Sequence, residues 1–206
     1  MRKRLTREES RALTQERLLD AAAKLIALHG FAGASIEEIA ETAGYSRGAF
    51  HANFKSKDAL FLSVIERQMH LMLAEIHKTM ASAPTQAPEE ILENLRIACA
   101  CYTGVDKLAY LLLTEAQLYS VRNPRFGKKL SAFFNEIYDA LTLALGKLDL
   151  SGGETTSLRA SQLVLMAFSL SHGLVLHNLM NPERYPDTVV PDIMNLVFDK
   201  FFPRQS

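Results

Sequence analysis

Cysteine is scarce in this chain: Cys99 and Cys101 are the only two among 206 residues. On a helix, positions two apart point about 200° away from each other. These two therefore neither bridge nor share a metal readily, and free thiols on an apolar helix suit a reducing cytosol. The N-terminal run Met-Arg-Lys-Arg-Leu-Thr-Arg-Glu-Glu lacks the apolar core of a signal peptide. No stretch reaches the ~18 uninterrupted apolar residues of a membrane span. The richest, 163–176, is broken by Ser169, Ser171, His172 and Gly173, so no membrane partner is expected. Period-2 alternation is missing throughout, which predicts essentially no sheet. There is no internal repeat and no low-complexity tract.

Net charge is also lacking, since 23 Lys/Arg balance 23 Asp/Glu. The distribution is uneven. Residues 1–57 carry ten Lys/Arg against seven Asp/Glu, a net of +3; residues 58–206 carry thirteen against sixteen, a net of −3. A basic front and an acidic remainder fit a small nucleic-acid module on a larger body. Hydrophobic residues make up 48%, enough for a substantial core.

What is present is helical periodicity from end to end. Residues 1–11 read as a charged flexible arm. A first helix is predicted over 14–29, with Leu18, Leu19, Ala22, Leu25 and Ile26 as its stripe and Gly30 as its stop. Ser35-Ile36-Glu37-Glu38 reads as a capping box opening a short helix that ends near Ala43-Gly44. Ser46 caps a second short helix over 47–53, and Ser56 a long one reaching about residue 80. Further helices are predicted over 88–102, 106–121, 124–145, 154–180 and 187–202, with loops at 83–88 and Ser151-Gly152-Gly153. The expected architecture is all-α with about nine helices. Residues 1–57 would form a helix-turn-helix domain and 58–206 a helical ligand-binding and dimerisation domain.

Two short helices joined by Gly44-Tyr45 must cross closely, with Ile36, Ile39, Ala43 and Phe50 as shared core. Neither is long enough to be stable alone. The second leaves Ser46, Arg47, Gly48, Ala49, His51 and Asn53 uncommitted to that core. Small residues at 48 and 49 let the backbone approach a groove, and Ser46 with nearby amides suits a phosphate. The same spacing also suits a plain helical hairpin without nucleic acid.

Residues 14–61 resemble the N-terminal domain of TetR/AcrR-family transcriptional regulators. The resemblance rests on Leu18-Leu19-Asp20-Ala21-Ala22, Leu25-Ile26, Gly30-Phe31, Ser35-Ile36, Ile39-Ala40, Ala43-Gly44-Tyr45-Ser46, Gly48-Ala49-Phe50, Phe54, Lys55-Ser56-Lys57 and Leu60. It implies a recognition helix at 46–52 and phosphate contacts from Ser35 and Lys57. Arg47 is the candidate base reader, because arginine can bond both acceptors of guanine. His51 stands where the family usually has Tyr, and Asn53 where it often has His or Tyr. Either can still contact phosphate, but the family's sequence preference does not carry over. Arg2, Lys3 and Arg4 suit either a neighbouring minor groove or a solvated tail.

The resemblance further implies a homodimer on a palindromic double-stranded operator and a small-molecule effector bound in the C-terminal body. For the dimer interface the candidates are Val164, Phe168, Ser171, Val175, Ile193, Leu196 and Val197, apolar or small positions on the last two helices. For the pocket they are Ile65, Met69, Met72, Cys99, Tyr102, Tyr110, Thr114, Gln117, Phe134, Tyr138, Met166 and His172, an apolar set with few polar groups. Each set also suits ordinary helical core. No enzyme motif is present: no HExxH, GxSxG, P-loop or dinucleotide fingerprint. His70/His77 and His172/His177 lack metal-pair spacing. No cofactor or metal is expected. A thiol redox sensor and a helical lipid carrier remain as alternatives; thiol labelling tests the first, and salt-dependent DNA binding separates the second from a regulator.

Overall fold

A computed structural model of the chain describes residues 6–81, 107–146 and 160–201. The described residues are helical with no strand. Eight helices are seen: α1 (Arg7–Gly33), α2 (Ile36–Thr42), α3 (Arg47–Asn53), α4 (Lys57–Ala81), α5 (Lys107–Arg122), α6 (Pro124–Leu145), α7 (Ala160–Met180) and α8 (Val189–Phe201). The helix expected over 88–102 lies outside the described residues, as do Cys99, Tyr102, Arg2, Lys3 and Arg4. Helix α1 already starts at Arg7, inside the stretch expected to be an arm over 1–11. Thr6 accepts a hydrogen bond from the Glu9 amide and the Glu9 carboxylate accepts one from the Thr6 amide, a full capping box. Charge alone had hidden that start.

These residues form two compact units. The first comprises the described residues through His70 together with 107–133, so it extends beyond the expected boundary at 57. The second comprises 71–81, 134–146 and 160–201.

In the first unit α1 packs chiefly on α5, and also on α2 and α3. Leu18, Ile26, Ile39, Phe50, Leu60, Phe61 and Ile65 are essentially inaccessible. The end of α1 is the most constrained point. Gly30 adopts φ 72°, a left-handed conformation that costs little only for glycine. The kink takes the Phe31 amide out of the helical ladder, and that amide donates to Glu115 Oε1 on α5 at 3.0 Å. From the other side the Lys57 ammonium donates to the carbonyls of Phe31 (2.7 Å) and Ala34 (2.9 Å). Below them four rings close together. Phe31 lies 5.0 Å from Phe61 and 4.3 Å from Tyr119, while Phe126 lies 5.2 Å from Phe61 and 5.1 Å from Tyr119. The Tyr119 hydroxyl donates to Asp58 in the first turn of α4. Arg67 on α4 ties to Glu16 and Asp20 on α1, at 2.9 and 2.8 Å.

In the second unit α7 packs on α8. Val164, Phe168, Ser171 and Val175 are buried within the subunit, and the Ser171 hydroxyl donates to Met194 Sδ at 3.4 Å. These four, expected at a subunit interface, thus take part in the packing of their own chain. Ile193 and Val197 are half-buried, and Leu196 stands outward at 70% exposure. Helix α7 is apolar nearly all round and would be long enough to cross a membrane, yet it holds Ser171 in its packed face.

Two outcomes follow from the clamp at Phe31. Glu115→Ala leaves the Phe31 amide without its partner and should lower stability by about 1–3 kcal/mol, measured by denaturant unfolding. Burial first, then the Asp58 hydrogen bond and charge, push the Tyr119 phenol from 10.0 up to about 12. The folded chain thus holds this proton more tightly than the unfolded chain. Its contribution is intact below pH 10 and is lost as pH rises through about 12. Alkaline unfolding of Tyr119→Phe, compared with the parent, should show a shallower decline in that window.

Candidate nucleic-acid interface

The short helices α2 and α3 are held in a tight corner. Gly44 has φ 79°, which lets the Tyr45 amide turn back onto the Ala40 carbonyl at 2.8 Å. Ser35 caps α2 by accepting from the Glu38 amide at 3.1 Å; of the expected capping box only this half forms. Ser46 caps α3 by accepting from the Ala49 amide at 3.3 Å. Each serine accepts in its cap, so its hydroxyl hydrogen remains to donate outward.

Helix α3 buries one large side chain, Phe50, and turns Arg47, Gly48 and His51 to the surface, with Ala49 and Asn53 half-buried. Gly48 is informative. Its φ is ordinary, and a Cβ added there would meet only Ser46 Oγ at 3.6 Å, an ordinary contact. The fold does not require glycine at this point, although glycine inside a helix costs about 0.5–1 kcal/mol relative to alanine. The missing side chain leaves the backbone open to the surface at this point. Beside it Arg47 is paired with Glu37 of α2 at 2.5 Å, both side chains more than half exposed. That pair holds the guanidinium at the surface, and solvent screening keeps the hold weak.

Of the other candidates, Lys57 and Asn53 are engaged within the chain and His51 stands at the surface. Lys57, expected on a phosphate, has two of its three protons committed to Phe31 and Ala34 and sits 4.5 Å over the Phe31 ring. It therefore braces the turn that carries Ser35. Asn53 spends its amide on the Ala49 carbonyl at 2.8 Å, and its Oδ1 is buried without a partner. His51 is exposed, its ring edge-on to Phe50 at 5.3 Å. Sequence reasoning missed Glu37 and Glu115. Nothing local marks either one, because their partners are ten and 84 residues away.

The expected pocket residues fall in both units. In the first, Ile65, Met69 and Tyr110 are buried, Gln117 is half-buried, and Thr114 donates to the Tyr110 carbonyl at 2.9 Å. In the second, Met72, Phe134, Tyr138, Met166 and His172 are half-buried. Tyr138 lies 5.2 Å from Phe168 and 6.0 Å from Phe134. Burial raises the Tyr138 phenol and lowers the His172 imidazole, so both groups favour their neutral forms.

Comparison with known proteins matches this geometry. The family described as "Bacterial regulatory proteins, tetR family" matches residues 18–64. The HTH-type transcriptional regulator YerO of Bacillus subtilis is 35% identical over 80 residues, covering 39% of this chain and 28% of that protein. The chain thus matches under a third of that relative's length. Over nearly the whole length the fold is shared with a transcriptional regulator from Rhodococcus sp. Rha1, with TM-score 0.74 and 20% identity, covering 89% and 93% of the two chains. It is shared also with FadR from Bacillus subtilis in complex with stearoyl-CoA, with TM-score 0.70 and 20% identity, covering 93% and 99%. The corner of two capped short helices thus lies in the stretch that matches the tetR family of bacterial regulatory proteins, residues 18–64, and the all-helical fold is shared along nearly the whole length.

Proposed function

We propose that this chain is a ligand-responsive, non-enzymatic transcriptional regulator. It would act as a homodimeric repressor that leaves its palindromic operator when a small, largely apolar molecule binds. The observation that carries the DNA-binding part is the surface of α3. A glycine the fold does not need stands beside a surface arginine on a helix too short to exist for its own stability. Ser35 and Ser46 flank it with hydroxyls able to donate to phosphates. Arg47 would exchange Glu37 for a guanine, trading a screened ion pair for two hydrogen bonds to base acceptors.

The dimer is supported by what α7 and α8 leave uncovered. Leu165 (55% exposed), Leu176 (40%), Met180 (72%) and Leu196 (70%) stand in solvent in the single chain. On α7 these positions, with Ser169 between, recur at helical spacing along one side. A second copy covering this side would keep Leu196, expected there from sequence, and add Leu165, Leu176 and Met180 on α7. A two-fold pair of reading heads would then meet half-sites about 34–36 Å apart.

The effector reading draws on the apolar, half-buried set around Tyr138 and His172, whose polar groups are held neutral, and on the stearoyl-CoA bound by the FadR relative. Long-chain acyl compounds are therefore the first class to test. Coupling between effector and operator of this kind is typically ~1–3 kcal/mol.

Selection of bound sequences from random duplex DNA should enrich a palindrome, and acyl compounds should release it; recovery of no sequence above background would refute DNA reading. On the selected duplex Arg47→Ala should cost about 1–3 kcal/mol and relax preference at one base position. Glu37→Gln should instead tighten binding to selected and random duplex alike. Gly48→Ala should stabilise the fold by about 0.5–1 kcal/mol yet weaken operator binding, a combination that only an external contact explains.

A further inference from the structure

The corner between α5 and α6 carries a charge pattern that the reading head does not use. Residues 116–135 contain four Lys/Arg and no Asp/Glu, in a chain whose net charge is zero. The four are Arg122 at the end of α5 and Arg125, Lys128 and Lys129 in the first two turns of α6, all exposed. None of them is ion-paired among the described residues. Three stand at the positive end of the α6 dipole, where cations are unfavourable and acidic residues are preferred. Their mutual repulsion adds to that. Among the described residues no carboxylate pairs with these four, an arrangement suited to an external polyanion.

The corner is also rigid. Asn123 bonds to the Tyr119 carbonyl through its side chain at 3.0 Å, and its own carbonyl accepts from the Gly127 amide at 2.9 Å. A Cβ on Gly127 would lie 2.9 Å from the Ser120 carbonyl oxygen, so the two helices meet with no room for a side chain there. Tyr119 and Phe126 fix this corner onto Asp58 and Phe61 of α4, next to Lys57. The four cations thus belong to the same compact unit as α2 and α3 and are carried wherever the reading head goes.

We infer that Arg122, Arg125, Lys128 and Lys129 form a second DNA contact, gripping the phosphate backbone beyond the bases read by α3. The inference rests on the DNA-binding reading proposed above. The surface reads no sequence; it lengthens the footprint and adds an electrostatic, salt-sensitive share of the affinity. An acidic protein or an anionic lipid surface could meet the same charges. Residence on the head's own unit favours DNA, which that head would already hold.

The test replaces all four with glutamine in the full-length chain and measures affinity across a salt series. It uses two duplexes, one trimmed to the selected palindrome and one extended by flanking sequence of arbitrary composition. For the parent, the extended duplex should bind more tightly and with a steeper salt dependence. For the quadruple variant the slope on the extended duplex should fall by up to about four per subunit, ~0.9 for each phosphate released. Affinity there should fall about tenfold or more, while the trimmed duplex changes little. The base preferences recovered by selection should stay as they were. Equal slopes for parent and variant on the extended duplex would overturn the inference, and binding of an acidic protein or anionic vesicle with that same result would assign the patch elsewhere. Because the four side chains are exposed, the melting temperature should not drop; Lys128→Glu alone, with a smaller loss in the same direction confined to the extended duplex, guards against any folding defect. If the parent binds neither duplex, the functional reading itself fails, which is a distinct result.

Discussion

One residue's peptide groups hold the first unit together. Gly30 turns the chain so that the Phe31 amide faces α5 and its carbonyl faces α4, and a glutamate and a lysine take one each. Buried backbone groups of this kind must find partners, and here the partners come from two other helices. The turn into Ser35, the first turn of α4 and the middle of α5 are thereby set relative to one another. The aromatic quartet beneath fills the space that this geometry leaves. The corner of α2 and α3 could not hold its shape without it, because seven-residue helices have too few hydrogen bonds to persist alone.

Much of this was legible in the sequence, and for local reasons. Capping serines at 35 and 46, glycine at 30 and 44 and the periodic stripe of α1 act within a few residues, so they show in a linear reading. The bounds of α6 were predictable for the same reason. The start of α1 was equally local but was masked by its charge: Thr6 and Glu9 form a cap inside a stretch that composition suggests is solvated. The roles of Lys57 and Glu115 were not legible. Both depend on a backbone group exposed by a distant kink, and no spacing rule announces it.

The last two helices show a different limit. Helix α7 is apolar on almost every side, so periodicity cannot say which side faces inward. Packing on α8 decides it, and it selects Val164, Phe168, Ser171 and Val175 for the interior. Leu165, Ser169 and Leu176, each one position along, are left outside. A shift of one residue on a helix is about 100°, enough to exchange the two roles. Charge has a similar split. A net of zero conceals a basic run at residues 2–4 and a basic corner at 122–129, offset by acidic residues elsewhere.

The bond from Phe31 to Glu115 has a consequence for how the chain is made. Its two partners are 84 residues apart in sequence. At ~5–20 residues per second a ribosome needs roughly 4–17 s to bridge that interval. Helices α1 to α4 emerge first and wait, with the Phe31 amide unclaimed and the aromatic floor half built. The head is therefore completed from behind, by a strand of sequence that arrives late, and a nascent chain halted before α5 would carry every residue of the recognition helix without the brace that sets its angle.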